Sequence, residues 1–428
     1  MSDLLRIGSS AIGAYRSALA VVGDNVANAS TDGFVRRSAV LSELPPSANG
    51  ASGVRIDAIR RDWDEGLAAS LLARTSDASR DETLLSGARA VEAAILPDGE
   101  GGPSAAIGAI YDAMTRLSSA PDSPSLRREL LGAIDVASTV FNAAAASLEQ
   151  ARDTSAGLAT LSLDEANAAL GELAEINQRL RASATDPGAR PALEDARDAA
   201  LLRLASELSI DRDVASDGSV TVRLDGLAQP PLLDPRGRAM LRGEDGRVRV
   251  AGPGGSEAVP AASGRFAGAM RSIAAIEGAL ERLDALALRT REMLDTHQAR
   301  GGGPPLLDGT DARSLRLATR DPRAIVTGSG GVGNDAFLAT LDGRASAGLG
   351  RDSDDLVTEL AQEAQRAERR HGASAKVRDE AALSLDRIAG VDLDREASQL
   401  IALQQAYSAA ARVIDTARSM LDALLAVR

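Results

Sequence analysis

The chain has no cysteine in its 428 residues, which excludes disulfides and thiolate metal sites alike. That absence names no compartment, although it suits a protein that crosses a membrane unfolded and stays outside. Aromatic residues are also scarce, at 2%. Rings fill large cores and pockets efficiently. Without them, an apolar content of 44% dominated by Ala and Leu suits thin layers of closely packed helices. Only two histidines occur, His297 and His371, on different predicted helices and without a partner at metal-site spacing. Both are expected at the surface, and no metal or cofactor is expected.

Basic charge is outweighed: 48 Lys and Arg, nearly all Arg, face 61 Asp and Glu, for a net charge of −13. Neutralising phosphates requires clustered basic residues, so nucleic-acid binding is not expected. No uninterrupted run reaches the roughly 18 apolar residues of a transmembrane helix, so no membrane insertion is expected. The first residues, MSDLLRIGSSAIGAYRSALAVVGDN, are broken by Asp3, Ser9, Ser10 and Arg16 and do not read as a signal peptide. A cytosolic protein is expected, or one exported without a cleaved signal.

What is present is helical periodicity, most regular at the two ends. Leu5, Gly8, Ile12, Tyr15, Leu19, Val22 and Val26 alternate at three and four, as one coiled-coil seam does. At about 1.5 Å per residue this helix is on the order of 35 Å long. It stops in Asn28-Ala29-Ser30-Thr31-Asp32-Gly33. Leu400, Leu403, Tyr407, Ala410, Ile414, Ala417, Leu421 and Leu424 form the matching seam at the other end. Between them, helices are predicted near residues 62–96, 103–119, 125–183, 191–208, 264–299 and 354–388. Asp186-Pro187-Gly188 is a stop, and a Pro/Ser/Gly-rich link at 45–53 precedes a strand at 54–59. Residues 209–263 change character: 219–224 alternate, and Asp217-Gly218, Asp245-Gly246 and Gly254-Gly255 are hairpin-type turns. A β-like stretch is predicted at 315–326.

Candidate catalytic chemistry is thin. Gly328-Ser329-Gly330-Gly331-Val332-Gly333 matches the G-x-G-x-x-G phosphate fingerprint in letters. The functional version needs a full βαβ unit, and here a helix of about eight residues follows with no second strand, so the segment reads as a loop. Serines such as Ser9 and Ser10 have no paired histidine for a triad. The run Asp352-Ser353-Asp354-Asp355 lacks EF-hand spacing and suits the start of a helix. Arg366 to Arg370 lie among Glu residues and read as a solvated helix face.

Both ends carry a resemblance. Asp24-Asn25-Val26-Ala27-Asn28-Ala29-Ser30-Thr31-Asp32-Gly33-Phe34 resembles the N-N-I-A-N-x-x-T-x-G-[YF] motif of flagellar rod, hook and hook-associated proteins. Val391-Asp392-Leu393-Asp394-Arg395-Glu396-Ala397, with Gln404-Gln405-Ala406-Tyr407-Ser408-Ala409-Ala410-Ala411-Arg412-Val413-Ile414, resembles that group's C-terminal helix. The Ala409–Ala411 triplet, Leu193-Glu194-Asp195-Ala196-Arg197-Asp198 and Thr296-His297-Gln298 are most similar to the hook-associated protein 1 (FlgK) family. Departures are Asp24 for the first Asn, Asp32 where Pro is frequent, and Phe34-Val35-Arg36, which leans toward rod and hook relatives. The segment from 299 to 355 is too short for the large outer domains of longer members, so the resemblance is to a compact version.

The resemblance implies a structural, non-enzymatic axial protein at the hook–filament junction, exported by the flagellar type III route and extracellular after a cytoplasmic stage. The implied partners are copies of itself, the hook protein, a second junction protein (hook-associated protein 3), and a FlgN-like chaperone on the C-terminal helix. The alternatives are a rod or hook subunit, a cytosolic coiled-coil scaffold and, third, an enzyme using the 328–333 loop. The expected fold is mainly α: an elongated antiparallel helical bundle or coiled coil with paired terminal helices and a small β-rich module. Residues 1–60 with 390–428 form the expected assembly domain, and 61–208 with 264–300 and 354–389 the helical middle. Residues 209–263 are the β-rich module and 301–353 a loop-rich segment. The expected assembly interface is Leu5, Ile12, Tyr15, Leu19, Val22, Asn25, Asn28 and Phe34, with Leu400, Leu403, Gln404, Gln405, Tyr407, Ile414, Leu421 and Leu424.

Overall fold

The computed structural model describes residues 2–44, 53–97, 101–182, 190–226, 231–252, 255–328, 333–343 and 348–426. Most of the 45–53 link, the Asp186–Gly188 stop, Gly254 and residues 329–332 of the glycine loop lie outside the described residues. Helix α1 (Ser2–Ala27) leads into an antiparallel hairpin, β1 (Arg37–Glu43) and β2 (Val54–Arg61). Then come α2 (Glu65–Ile95), α3 (Gly102–Ser119), α4 (Pro124–Ala182) and α5 (Arg190–Glu207). Among the described residues short strands follow: β3 (Ile210–Val214), β4 (Val220–Leu224), β5 (Leu233–Asp234) and β6 (Gly237–Arg238) form one antiparallel sheet in that order, and β7 (Met240–Glu244), β8 (Arg247–Gly252) and β9 (Gly255–Val259) form a second. Helix α6 (Arg265–Ala299), the two-residue strands β10 (Leu307–Asp308) and β11 (Arg316–Leu317), α7 (Asp335–Asp342), α8 (Leu349–Ala389) and α9 (Leu393–Ala426) complete the chain.

Asp64 caps α2 by accepting from Leu67 N, and the φ of +89° at Gly101 suits glycine at the entry to α3. With 59 residues, α4 is about 90 Å long at 1.5 Å per residue. It joins two cores. Its first half contributes Leu130, Ile134, Phe141 and Leu148 to a cluster with Ile110, Met114, Leu283 and Phe337. Its second half contributes Leu163, Leu170, Leu173 and Leu180 to a cluster with Leu201, Leu204, Val222, Val250 and Phe266. The inward-facing valines of the sheets therefore share one core with α4 and α5, to which Leu72 of α2 and Phe266 of α6 also contribute.

One expectation needs correction. His297 is not at the surface but wholly buried. Its Nε2 faces Val326 O at 2.9 Å, its Nδ1 meets Thr340 Oγ1 at 3.1 Å, and its ring lies 4.5 Å from Phe337. Burial pushes the imidazole below its ordinary value, against the hydrogen bond to Val326. Beside it, Gln298 donates to Pro304 O and Ala324 O and accepts from Val326 N. The end of α6 thus pins the loop that follows. α4 holds an 18-residue window of mean hydropathy 1.4, apolar enough by length and composition to cross a membrane. Burial explains the composition: Ile134, Ala137, Phe141 and Ala145 face the core while Val136 is 60% exposed, the pattern of a helix buried on one side.

The predicted 315–326 β stretch is smaller than expected. Arg316–Leu317 pairs with Leu307–Asp308, and Pro322–Ala324 is a 3-10 turn. The acidic run falls in the first turns of α8, where Asp352 pairs with Arg289 and Asp354 accepts from Ser104.

Candidate assembly interface

α1 and α9 pack side by side and antiparallel, because Gly8 lies against Ile414 while Asn25 meets Glu396. Small residues make the contact close. A Cβ on Gly8 would stand 2.5 Å from Ile414 Cγ1, and Ala14, Ala18, Ala410 and Ala417 are all buried. Such residues let helix backbones approach, which suits a chain poor in aromatics.

The buried stripe is not quite the predicted seam. On α1 it runs through Gly8, Ala14, Ala18, Val21, Val22 and Asn25, while Val26 is 42% exposed. The cause is that α1 packs on β1 and β2 as well as on α9, which turns its covered face. On α9, Glu396, Ala410 and Ala417 are buried, whereas Tyr407 and Leu421 are 36% and 41% exposed. Among the described residues, α1 is the only element that packs extensively on α9, and it leaves the outer side of that helix uncovered.

Of the residues singled out in the sequence, Val22 and Asn25 are buried within the chain. Leu5, Ile12, Tyr15, Leu19, Asn28, Phe34, Leu400, Leu403 and Ile414 are half-buried, and Gln404, Gln405, Tyr407 and Leu421 are exposed. The Leu424 side chain lies outside the described residues.

The turn after α1 explains the motif letters. Asn28 Nδ2 donates to Asp24 O at 2.9 Å, closing the helix end, and Thr31 Oγ1 donates to Asn28 Oδ1 at 3.3 Å. Gly33, at a φ of +77°, supplies the left-handed step that returns the chain to the hairpin. Asn25 clasps the start of that hairpin, donating to Arg37 O at 2.8 Å and accepting from Arg37 N at 3.0 Å.

Asn25 Nδ2 also donates to Glu396 Oε2 at 3.0 Å, and Arg36 Nε donates to Glu396 Oε1 at 2.7 Å. The same guanidinium reaches Asp62 and, at 3.0 Å, Gln399 Oε1. Burial alone would depress Arg36, but its bonds to Glu396 and Asp62 outweigh it and raise the guanidinium. A buried carboxylate costs heavily unless paired and hydrogen-bonded; Glu396 has both. Sequence reasoning quoted these residues without pairing them. The available signal was a charged residue at a seam position, Glu396, opposite Asn25 in the antiparallel register.

A second ionic group joins the hairpin to α5. Arg61 reaches Asp195 at 2.8 Å and Asp198 at 2.7 Å, and Arg37 reaches Asp195 at 3.1 Å. Burial pushes the Asp195 carboxyl up, against the opposing pull of Arg61 and Arg37. Arg37 lies 4.7 Å over the Phe34 ring and Arg61 4.8 Å over the Trp63 ring.

The comparisons with known proteins fall on the same elements. Residues 90–303, half of the chain, match the family described as "Flagellar hook-associated protein FlgK helical domain". Residues 5–34 match "Flagella basal body rod protein", and residues 387–427 match "Flagellar basal body rod FlgEFG protein C-terminal". No curated protein sequence matches. Among solved structures, the flagellar hook junction protein FlgK from Burkholderia pseudomallei is similar at 20% identity and a TM-score of 0.48. That match covers 56% of this chain and 46% of the other, so the chain spans less than half of that relative's length. The half-chain match, set between rod-type ends in the expected order, assigns the family: this chain belongs to the flagellar hook-associated protein FlgK family.

Proposed function

We propose that the chain is a structural, non-enzymatic axial protein of the bacterial flagellum that forms the hook–filament junction. The observation that carries this is the α1–α9 pair, closed by the buried Asn25–Glu396–Arg36 network and flanking a helical domain of the hook-associated type. Residues 1–60 with 390–428 are the assembly unit, on a body of 61–389 made of the helical middle, the β-rich 209–263 and the loop-rich 301–353.

The surface for copies of the chain lies on the outer sides of the pair. Leu4 and Val26 on α1, and Leu393, Ile401, Tyr407, Val413, Met420 and Leu421 on α9, are exposed apolar side chains. Gln404 and Gln405 lie among them. Such a surface on a single subunit favours association. The half-buried seam residues border it and complete the interface as copies pack. Partners that follow from this reading are the hook protein, hook-associated protein 3, and a FlgN-like chaperone that covers α9 before export. The protein is then exported and resides in the extracellular flagellum.

The test is deletion of residues 400–428 in the bacterium that carries the protein. The expected result is loss of motility and release of filament subunits into the medium; normal motility overturns the assignment. Recovery of the protein in sheared flagella separates it from a cytosolic scaffold. Its position in the hook–filament region separates it from a rod subunit, a reading that the rod-type matches at 5–34 and 387–427 alone would favour.

A further inference from the structure

The terminal unit and the helical body meet in two unlike ways. Two short connectors join them covalently, residues 62–64 between β2 and α2 and residues 390–392 between α8 and α9. These connectors are stitched together beside Arg36. Arg36 N donates to Ala389 O at 2.7 Å, and Asp62 N donates to Arg36 O at 2.9 Å. A small apolar cluster of Val35, Ala68, Leu71, Leu385 and Ala389 sits at the same place. Among the described residues, α1 packs extensively only on α9, β1 and β2.

The second meeting point is ionic. Arg37 and Arg61 are direct cross-strand partners in the hairpin register. Like charges directly opposite destabilise a strand pair. The relief comes from the body: Glu194, Asp195 and Asp198, spaced on one face of α5, receive both guanidiniums. The acid side is also held from within the body, where Arg197 lies 2.8 Å from Asp198 and donates to Gly218 O at 2.7 Å. On the far side of the two guanidiniums lie the Phe34 and Trp63 rings. The Arg61 side chain is 5% exposed, so water replaces these contacts poorly while they are closed.

We propose that Arg37 and Arg61 with the acid face of α5 form an ionic latch that sets the angle of the terminal-helix unit on the helical body. Opening the latch lets the unit pivot about the connectors at 62–64 and 390–392 without unfolding either part. The hairpin's like-charge pair is relieved only while the acids face it, so the repulsion between Arg37 and Arg61 favours the closed latch. It belongs to the single subunit and holds whether or not the chain forms a junction.

The test uses the full chain, whose lack of cysteine allows clean labelling. Spin labels on cysteines introduced at the exposed Ser419 of α9 and Thr160 of α4 report the distance between the two parts. The expected result is one narrow distance for the parent and loss of that narrow peak in Arg61→Glu, with helical content retained. Adding Asp195→Arg to Arg61→Glu restores the narrow peak. The lone tryptophan, Trp63, reports latch opening independently through a change in its fluorescence on loss of the Arg61 cover. Where the reversal unfolds the chain, Arg61→Gln removes the charge without adding repulsion and is read in the same way. A broad distribution in the parent overturns the proposal, as does a narrow one that survives Arg61→Glu or Arg61→Gln. So does loss of helical content in both of those variants that Asp195→Arg fails to restore to Arg61→Glu.

Discussion

Arg36 and Glu396, 360 positions apart, meet at 2.7 Å in a site where the Glu396 side chain is wholly buried. The carboxylate sits where α1, the hairpin and α9 converge, with Asn25 on its second oxygen. Pairing of the chain ends therefore depends on a polar contact as well as on the apolar stripe.

Removing one member should be costly. Arg36→Met leaves the Glu396 carboxylate buried without its cation, a change worth about 3–5 kcal/mol. Chemical denaturation followed by circular dichroism should show that loss, and the double variant Arg36→Met with Glu396→Met should recover part of it. Equal stability of parent and single variant would show that the pair is not needed.

Asn25→Asp is nearly isosteric but removes the Nδ2 donor to Glu396 and Arg37 O and sets a carboxylate beside a carboxylate. The expected loss is about 1–3 kcal/mol from unmade hydrogen bonds, with like-charge repulsion added. Thermal melts should place this variant below Asn28→Ala, whose local helix-end bond is exposed.

Gly8→Val should loosen the α1–α9 crossing, because even a Cβ there meets Ile414. Overpacking of this kind costs about 1–3 kcal/mol. Ile414→Ala combined with Gly8→Val should regain part of the loss, since it removes the atoms in conflict. Failure of the double variant to improve on Gly8→Val would place the strain elsewhere.

Stability should also depend on pH through His297. Burial lowers its folded value below the ordinary 6.5, so the folded state prefers the neutral ring. The unfolded chain binds this proton more readily, and linkage then makes stability fall as pH drops below 6.5. The loss is complete once pH is below the folded value, and above 6.5 the ring costs nothing. Urea midpoints across this range should slope for the parent and flatten for His297→Gln; parallel slopes would remove His297 as the cause.

Ile401→Glu and Leu421→Glu test the outer surface with little disturbance of the intrachain pair, since these side chains are 55% and 41% exposed. Thermal midpoints should stay within about 0.5 kcal/mol of the parent in stability terms. Motility and filament retention should nevertheless fall in cells. Unchanged motility with both substitutions would remove these positions from the assembly surface.

Much of the secondary structure was legible in the sequence because its signals are local. Three-and-four spacing placed α1 and α9, Asn28 to Gly33 marked the end of α1, and Asp217-Gly218 and Asp245-Gly246 marked hairpins. The terminal motifs pointed to the family, and their register brings the chain ends together.

Tertiary structure alone decided which way each helix faces. Val26 and Tyr407 lie on the predicted seams yet are exposed, because burial depends on what covers a face and not on its period. It also decided that His297 is internal, that α4 serves two cores, and that Arg37 and Arg61 meet one acid face of α5. Periodicity describes neighbours three or four residues apart, whereas a buried charge is tolerable only through partners that the folded chain brings from far away. For that reason Glu396 read as one more letter of a helix, and only the fold made it the point where the two ends of the chain close.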